Sequence, residues 1–122
     1  MSERAGTSRR EVGERGEELA ASWYRVRGYQ VLDRNWRCPE GELDLVLRRQ
    51  GTVVFCEVRT RTTDRFGSGA ESVSFHKRRR VRHLAVRWLA AGGARRLGGA
   101  VDIRFDVVSI TGGELEVTEA AF

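Results

Sequence analysis

The sequence predicts an α/β fold in which one mixed sheet carries helices packed against it. Three observations lead there. Strand-like apolar runs alternate with two stretches of helical periodicity, and Gln50-Gly51 joins two of those runs as a hairpin turn would. A basic amphipathic helix then separates the third strand from the fourth, as a crossover between parallel neighbours requires. The expected order is α, β, β, β, α, β, β.

Residues 1–10 are polar and read as a disordered tail, leaving residues 11–122 as one domain. A chain of this length can bury a core without disulfides or structural metal. The first helix is expected from residue 11 to about Arg27, with Leu19, Ala20, Trp23, Tyr24 and Arg27 at helical spacing and Gly28 as its stop. Gly13 and Gly16 weaken its first turns, which predicts a frayed start or close packing against a strand. Tyr29 to Trp36 reads as a strand, and Arg37 to Gly41 as a loop into the hairpin. Thr60 to Ser72 reads as a further loop, carrying Arg61 and Arg65.

The second helix is expected from about Phe75 to Ala91, with Ser74 as N-cap. Val81, Leu84, Ala85, Trp88 and Leu89 form its apolar stripe. Gly92-Gly93 reads as its end, followed by a flexible link to Gly99. Asp102 to Ile110 is a strand, Gly112-Gly113 a turn and Glu114 to Thr118 an edge strand.

Nothing resembles a signal peptide, and no apolar run reaches membrane-spanning length. Cys38 and Cys56 form no framework, so a cytoplasmic protein without membrane association is expected. The net charge is +5, but it is unevenly spread. Between Ser72 and Val101 there is no acidic residue, while Lys77, Arg78, Arg79, Arg80, Arg82, Arg87, Arg95 and Arg96 all fall there. A phosphate-binding surface produces such a run, and so does a solvated helix face in an arginine-rich chain. The run alone does not choose between them.

The hairpin is more specific. A tight turn at Gln50-Gly51 pairs Arg49 with Thr52 and, further up, sets Asp44 opposite Glu57 and Glu42 opposite Arg59. Side chains alternate with period 2, so Asp44, Glu57 and Arg59 share one face. Two carboxylates facing each other across a ladder, with Cβ atoms about 5 Å apart, repel. A cation between them would offset that repulsion. Carboxylates without a His or Cys cluster favour a hard ion, Mg²⁺ or Mn²⁺, over zinc. There is no glycine-rich phosphate loop and no assignable Ser/His/Asp arrangement. The alternative reading of Asp44 and Glu57 is a solvent-facing pair on a half-exposed hairpin.

Gly41-Glu42-Leu43-Asp44-Leu45-Val46, followed by Val54-Phe55-Cys56-Glu57-Val58-Arg59-Thr60-Arg61, resembles the YraN-like bacterial family of uncharacterised proteins. The likeness runs from about Val12 to the C-terminus and includes Gly16-Glu17, Asn35-Trp36-Arg37, Phe66-Gly67, Lys77 and Arg104-Phe105-Asp106-Val107-Val108. It implies a restriction-endonuclease-like αβββαβ core and a predicted nuclease of the PD-(D/E)xK class, related to Holliday-junction resolvases. On that likeness, Asp44, Glu57 and the main-chain carbonyl of Val58 would bind Mg²⁺ or Mn²⁺. Glu17 on the first helix would complete the site.

The class carries a lysine where this chain has Arg59. An arginine keeps the charge and can bind phosphate bidentately, but it cannot serve as a general base. Asp106 reads as structural, paired with Arg104 or Arg37, and Glu42 as an ion-pair partner of Arg59 or a motif residue. Lys77, Arg61, Arg78 and Arg82 are the candidate nucleic-acid contacts.

The expected function is therefore binding of DNA, branched or broken, with metal-dependent phosphodiester hydrolysis if the site is active. Two alternatives stand beside it: a non-catalytic nucleic-acid-binding module on the same fold, and a basic face that meets an acidic protein. Symmetric junction cutting would need a homodimer, for which the sequence offers no surface.

Overall fold

A computed structural model of the chain describes residues 9–61, 74–99 and 101–122. Helix α1 (Arg9–Val26) leads into three strands, β1 (Gln30–Cys38), β2 (Gly41–Arg49) and β3 (Thr52–Arg61). Helix α2 (Phe75–Trp88) continues through a wide π-type turn, Leu89–Gly93, into the short helix α3 (Ala94–Leu97). Strands β4 (Asp102–Thr111) and β5 (Glu114–Thr118) close the order. The five strands lie side by side in chain order. All neighbours are antiparallel except β3 and β4, which run parallel, as the helical connection between them requires. This is the predicted α/β class, a mixed sheet with helices, and it is consistent with a restriction-endonuclease-like core.

The sheet is buried on both faces. Leu45, Leu47, Val54, Cys56, Val108 and Ile110 pack beneath Ala20, Ala21 and Tyr24 of α1. Val46, Val53 and Phe55 pack on the other face, against Val81, Leu84, Ala85 and Trp88 of α2. Alternation along β2 and β3 thus supplies both layers from single strands. Gly16 is where α1 touches β3. A Cβ there would come 2.2 Å from Thr60 Oγ1, so the glycine is explained by close packing.

Several boundaries differ from the sequence reading. The first helix begins at Arg9, not 11, and the predicted tail at residues 1–8 lies outside the described residues. β1 continues through Arg37 to Cys38 and Gly41 already belongs to β2, because Arg37–Glu42 and Cys38–Gly41 pair across the strands. The predicted loop there shrinks to Pro39-Glu40. β3 likewise runs on through Thr60 and Arg61, held by its parallel pairing with Ile110 and Thr111. Arg65 and the rest of that loop lie outside the described residues.

The link after α2 is not flexible chain. Gly92 takes a φ of 118°, the chain turns, and α3 docks Leu97 into the core before Gly98 stops it in the left-handed region. Gly93 sits against the Trp88 ring, where an added Cβ would meet Cε3 at 2.2 Å. Asp33 anchors this corner, accepting from Trp88 Nε1 at 2.6 Å and Arg96 Nη1 at 2.7 Å.

Asp106 is structural, as read. Fully buried, it accepts from Tyr24 Oη at 2.7 Å, from both Arg104 Nε (2.9 Å) and Nη2 (2.8 Å), and from the Ala120 N–H at 3.1 Å. Arg104 also reaches Tyr29 Oη at 2.9 Å. Burial and the neighbouring Cys56 and Asp106 push the Tyr24 hydroxyl far above its ordinary pKa, so it keeps its proton and donates it to Asp106. Asp106→Ala strands a half-buried guanidinium and should lower the unfolding free energy by about 3–5 kcal/mol in a denaturant titration. Tyr24→Phe removes one donor of four and should cost about 1–3 kcal/mol.

Candidate functional site

The predicted hairpin register holds for five pairs, from Arg49–Thr52 to Leu45–Cys56, and then stops. Asp44 and Glu57 are not ladder partners. Beyond Leu45 the edge of β3 is released from β2, and Asp44 Oδ2 accepts the Val58 N–H at 2.9 Å in place of a strand carbonyl. Repulsion between two facing carboxylates favours such a parting, and the aspartate satisfies the backbone donor that the parting frees. In an extended strand the N–H and C=O of one residue point to the same side, so Val58 turns its carbonyl toward this gap too. The predicted Glu42–Arg59 pair is likewise absent. Glu42 sits across from Arg37 on β1 and pairs with its Nε at 3.8 Å.

Above the end of the ladder lies a cavity of about 290 Å³ lined by Gly41, Glu42, Asp44, Glu57, Lys77, Arg80, Val81 and Leu84. Its β-side wall is acidic, and its α2 wall offers two cations over an apolar base. Lys77 Nζ lies 2.5 Å from Glu57 Oε2, with the two side chains only 29% and 13% exposed. Ser74 caps α2, its Oγ accepting the Lys77 N–H at 3.1 Å, which fixes the backbone that carries this lysine. Gly41 takes a φ of 150°, which residues with a side chain rarely adopt, and lies beside Leu84 and the stem of Arg80.

Burial, then the charge of Glu57, pushes the Asp44 carboxyl up to about 7, although the Val58 N–H pulls the other way. Glu17 and Glu42 add to the rise. Glu17 itself is raised, first by burial, while a hydrogen bond from Asn35 opposes it. Asn35 stands on β1 between the paired Arg34 and Trp36 and takes a φ of 51°, a left-handed conformation that asparagine tolerates better than most residues. Glu17 and Asn35 line a neighbouring cavity of about 440 Å³ with Glu14 and Arg37.

The predicted residues therefore divide. Asp44 and Glu57 share one cavity, with Glu42, and Lys77 joins them there. Glu17 lies in the adjoining cavity, near enough for its charge to act on Asp44. Arg59 does not line either cavity. Its Nη1 is buried without a hydrogen-bond partner among the described residues, and burial, then Arg61, lowers its pKa while Glu57 raises it. Arg61 ends β3, half-buried. Arg78 lies over the Phe122 ring at 5.9 Å with Nε buried and unpartnered among the described residues. Arg82 lies over Phe105 and Phe122, at 5.7 and 5.3 Å. Among the described residues no group of three or more His, Cys, Asp or Glu could hold a metal ion, so protein carboxylates would supply two close ligands at most.

Sequence reading missed Arg80 and Asn35. Arg80 follows Lys77 by three residues, hence on the same side of α2. Lys77 itself precedes Val81 by four and Leu84 by seven, so it extends the buried stripe by one turn.

Comparison with known proteins agrees with the motifs. The sequence matches the uncharacterised protein family UPF0102 over residues 16–110. A UPF0102 protein of Frankia alni is 50% identical over 100 residues, covering 82% of this chain and 80% of that protein. One from Nocardia farcinica is 50% identical over 99 residues, 81% of this chain and 75% of the other. One from Myxococcus xanthus is 46% identical over 112 residues, 92% and 86% of the two chains.

The raised Asp44 carboxyl has a consequence for stability. Because its folded pKa lies above the unfolded value, the native state keeps a proton that the unfolded chain has released between pH 3.8 and about 7. Stability of the metal-free protein should therefore fall as pH rises through that window. In thermal melts with EDTA at pH 8, Asp44→Asn should be more stable than the parent and its pH slope flatter. Asp44→Ala, which leaves the Val58 N–H without its acceptor, should be less stable than Asp44→Asn.

Proposed function

The chain belongs to the uncharacterised protein family UPF0102, and from the geometry of its cavity we propose that it hydrolyses phosphodiester bonds in DNA with Mg²⁺ or Mn²⁺. One observation carries this reading: Asp44 and Glu57 face a single cavity whose opposite wall presents Lys77 and Arg80. Carboxylates on one side and cations on the other suit a metal and a phosphate held side by side. Asp44, Glu57 and the Val58 carbonyl would hold the cation. Two carboxylates suffice, since Mg²⁺ keeps several waters and takes substrate oxygens as further ligands. When bound, such an ion polarises a phosphoryl oxygen and lowers the pKa of the attacking water.

The chain's own contribution is placement and charge. Hydrolysis joins a water oxygen to phosphorus and breaks one P–O ester bond, leaving a phosphomonoester and a hydroxyl. Arg80 at the cavity wall can hold a non-bridging oxygen, and the ammonium beside Glu57 can meet the charge that grows on the phosphate. Glu17 lowers the cost of a cation nearby by adding negative potential. DNA would lie along the solvent face of α2, where Arg79, Arg82, His83 and Arg87 are exposed, Arg87 with Glu40 at 3.6 Å.

A second reading, a binding module that does not cut, is favoured by Arg59, which keeps the charge of the motif lysine but does not line the cavity. Incubation of the purified protein with linear, nicked, single-stranded and four-way-junction DNA, with Mn²⁺ or with EDTA, separates the two. The enzyme reading expects cleavage of at least one form, dependent on Mn²⁺. Tight binding of all forms with no cleavage would favour the module. In either case Arg79→Ala with Arg82→Ala should weaken duplex binding across sequences and shallow the plot of log affinity against log salt by about two units. An unchanged slope would move the contact surface off α2.

A further inference from the structure

Lys77 is the only lysine among 22 basic residues of this chain, and it stands where a helix least favours a cation. It is the third residue after the Ser74 cap, at the positive end of the α2 dipole, in a first turn with no acidic residue. A lone ammonium there destabilises a helix. What offsets it is Glu57, whose Oε2 lies 2.5 Å from Nζ across the cavity. Its side chain is directed inward, away from the arginine-covered solvent face of the same helix. Arg80, one turn further on, lines the same cavity.

Arg59 feels the charge of Glu57 but stands outside this arrangement. It does not line the cavity, and its Nη1 is buried without a hydrogen-bond partner among the described residues. A compact ammonium with rotatable donors can serve Glu57 and a phosphate together without the fixed fork geometry of a guanidinium. We propose that Lys77 supplies, from α2, the ammonium that the PD-(D/E)xK pattern carries at position 59, and that it contacts the phosphate undergoing substitution. This rests on the reading of the cavity as a phosphodiesterase site. Before substrate arrives, the same ammonium neutralises Glu57 and competes with a divalent cation for it.

The test uses the full chain and its variants Lys77→Gln, Lys77→Arg and the double variant Lys77→Gln/Arg59→Lys. Three quantities are read: Mn²⁺ affinity by calorimetry, affinity for inorganic phosphate in saturating Mn²⁺, and Mn²⁺-dependent cleavage. Removing a positive charge beside the carboxylates should tighten Mn²⁺ binding by about tenfold in Lys77→Gln and leave it near the parent value in Lys77→Arg. Phosphate affinity should fall about tenfold in Lys77→Gln, and cleavage by about a hundredfold in both single variants. The double variant should stay as slow as Lys77→Gln, because position 59 does not line the cavity.

Opposite shifts in Mn²⁺ and phosphate affinity in Lys77→Gln do not follow from a merely structural role. Cleavage by Lys77→Gln at the parent rate, or unchanged Mn²⁺ and phosphate affinities, would overturn the proposal. A parent that binds Mn²⁺ and phosphate but cuts no DNA would instead sink the phosphodiesterase reading, with the two affinities still deciding whether Lys77 is the phosphate's cation. A parent that binds no Mn²⁺ overturns both.

Discussion

The architecture of the site depends on one substitution of hydrogen-bond partners: Asp44 Oδ2 accepts the Val58 N–H where an antiparallel ladder would have placed a strand carbonyl. Continued pairing past Leu45–Cys56 would have closed the sheet and set Asp44 against Glu57. The strands part instead, and the gap becomes the floor of a polar cavity. A buried N–H without a partner costs about 1–3 kcal/mol, so the parting needs an acceptor, and the aspartate is that acceptor. The same contact aims one carboxylate oxygen at β3 and leaves the other for the cavity. Structure and chemistry thus draw on one side chain.

The rest of the chain holds that gap open at a fixed width. β3 is pinned from the far side by ten parallel pairs with β4, from Thr52–Asp102 to Arg61–Thr111, so it does not follow β2. β2 is held by β1, whose pairing continues to Cys38–Gly41, well past the point where β3 lets go. Helix α2 closes the third side through Val81 and Leu84, and Asp33 ties β1 to its C-terminal Trp88 and to Arg96 of α3. Behind the sheet, Asp106 joins α1, β4 and the Ala120 backbone in one buried network. Buried charge of this kind stays only because every lone pair in use has a donor.

Much of this was legible in the sequence. The order of elements, the Gln50-Gly51 hairpin, the Ser74 cap and the parallel pairing of β3 with β4 all follow from periodicity and turn chemistry. So did the meeting of Asp44 and Glu57, although as ladder partners, which they are not. Register arithmetic assumes that a ladder continues, whereas here Asp44 Oδ2 takes the Val58 N–H in place of a strand carbonyl. Position 59 was read from strand alternation and the motif, neither of which gives side-chain reach. Lys77 reads from sequence as a phosphate contact, but within a run of arginines nothing in its charge points to Glu57 as its partner. Its spacing from Val81 and Leu84 carried the contrary signal. The segment after Gly92 was misjudged because Gly and Arg suggest a linker, whereas Leu97 docks into the core and orders it.

The central claim is that Asp44 and Glu57, brought to one cavity by the parting of two strands, hold a divalent cation. Calorimetric titration of Mn²⁺ into the parent protein, Asp44→Asn and Glu57→Gln tests it most directly, since each substitution removes one negative charge and little volume. The account predicts saturable binding by the parent and loss of that binding in both variants, with each still folded by circular dichroism. Binding that persists unchanged in both variants, or a folded parent that takes up no Mn²⁺, would contradict it.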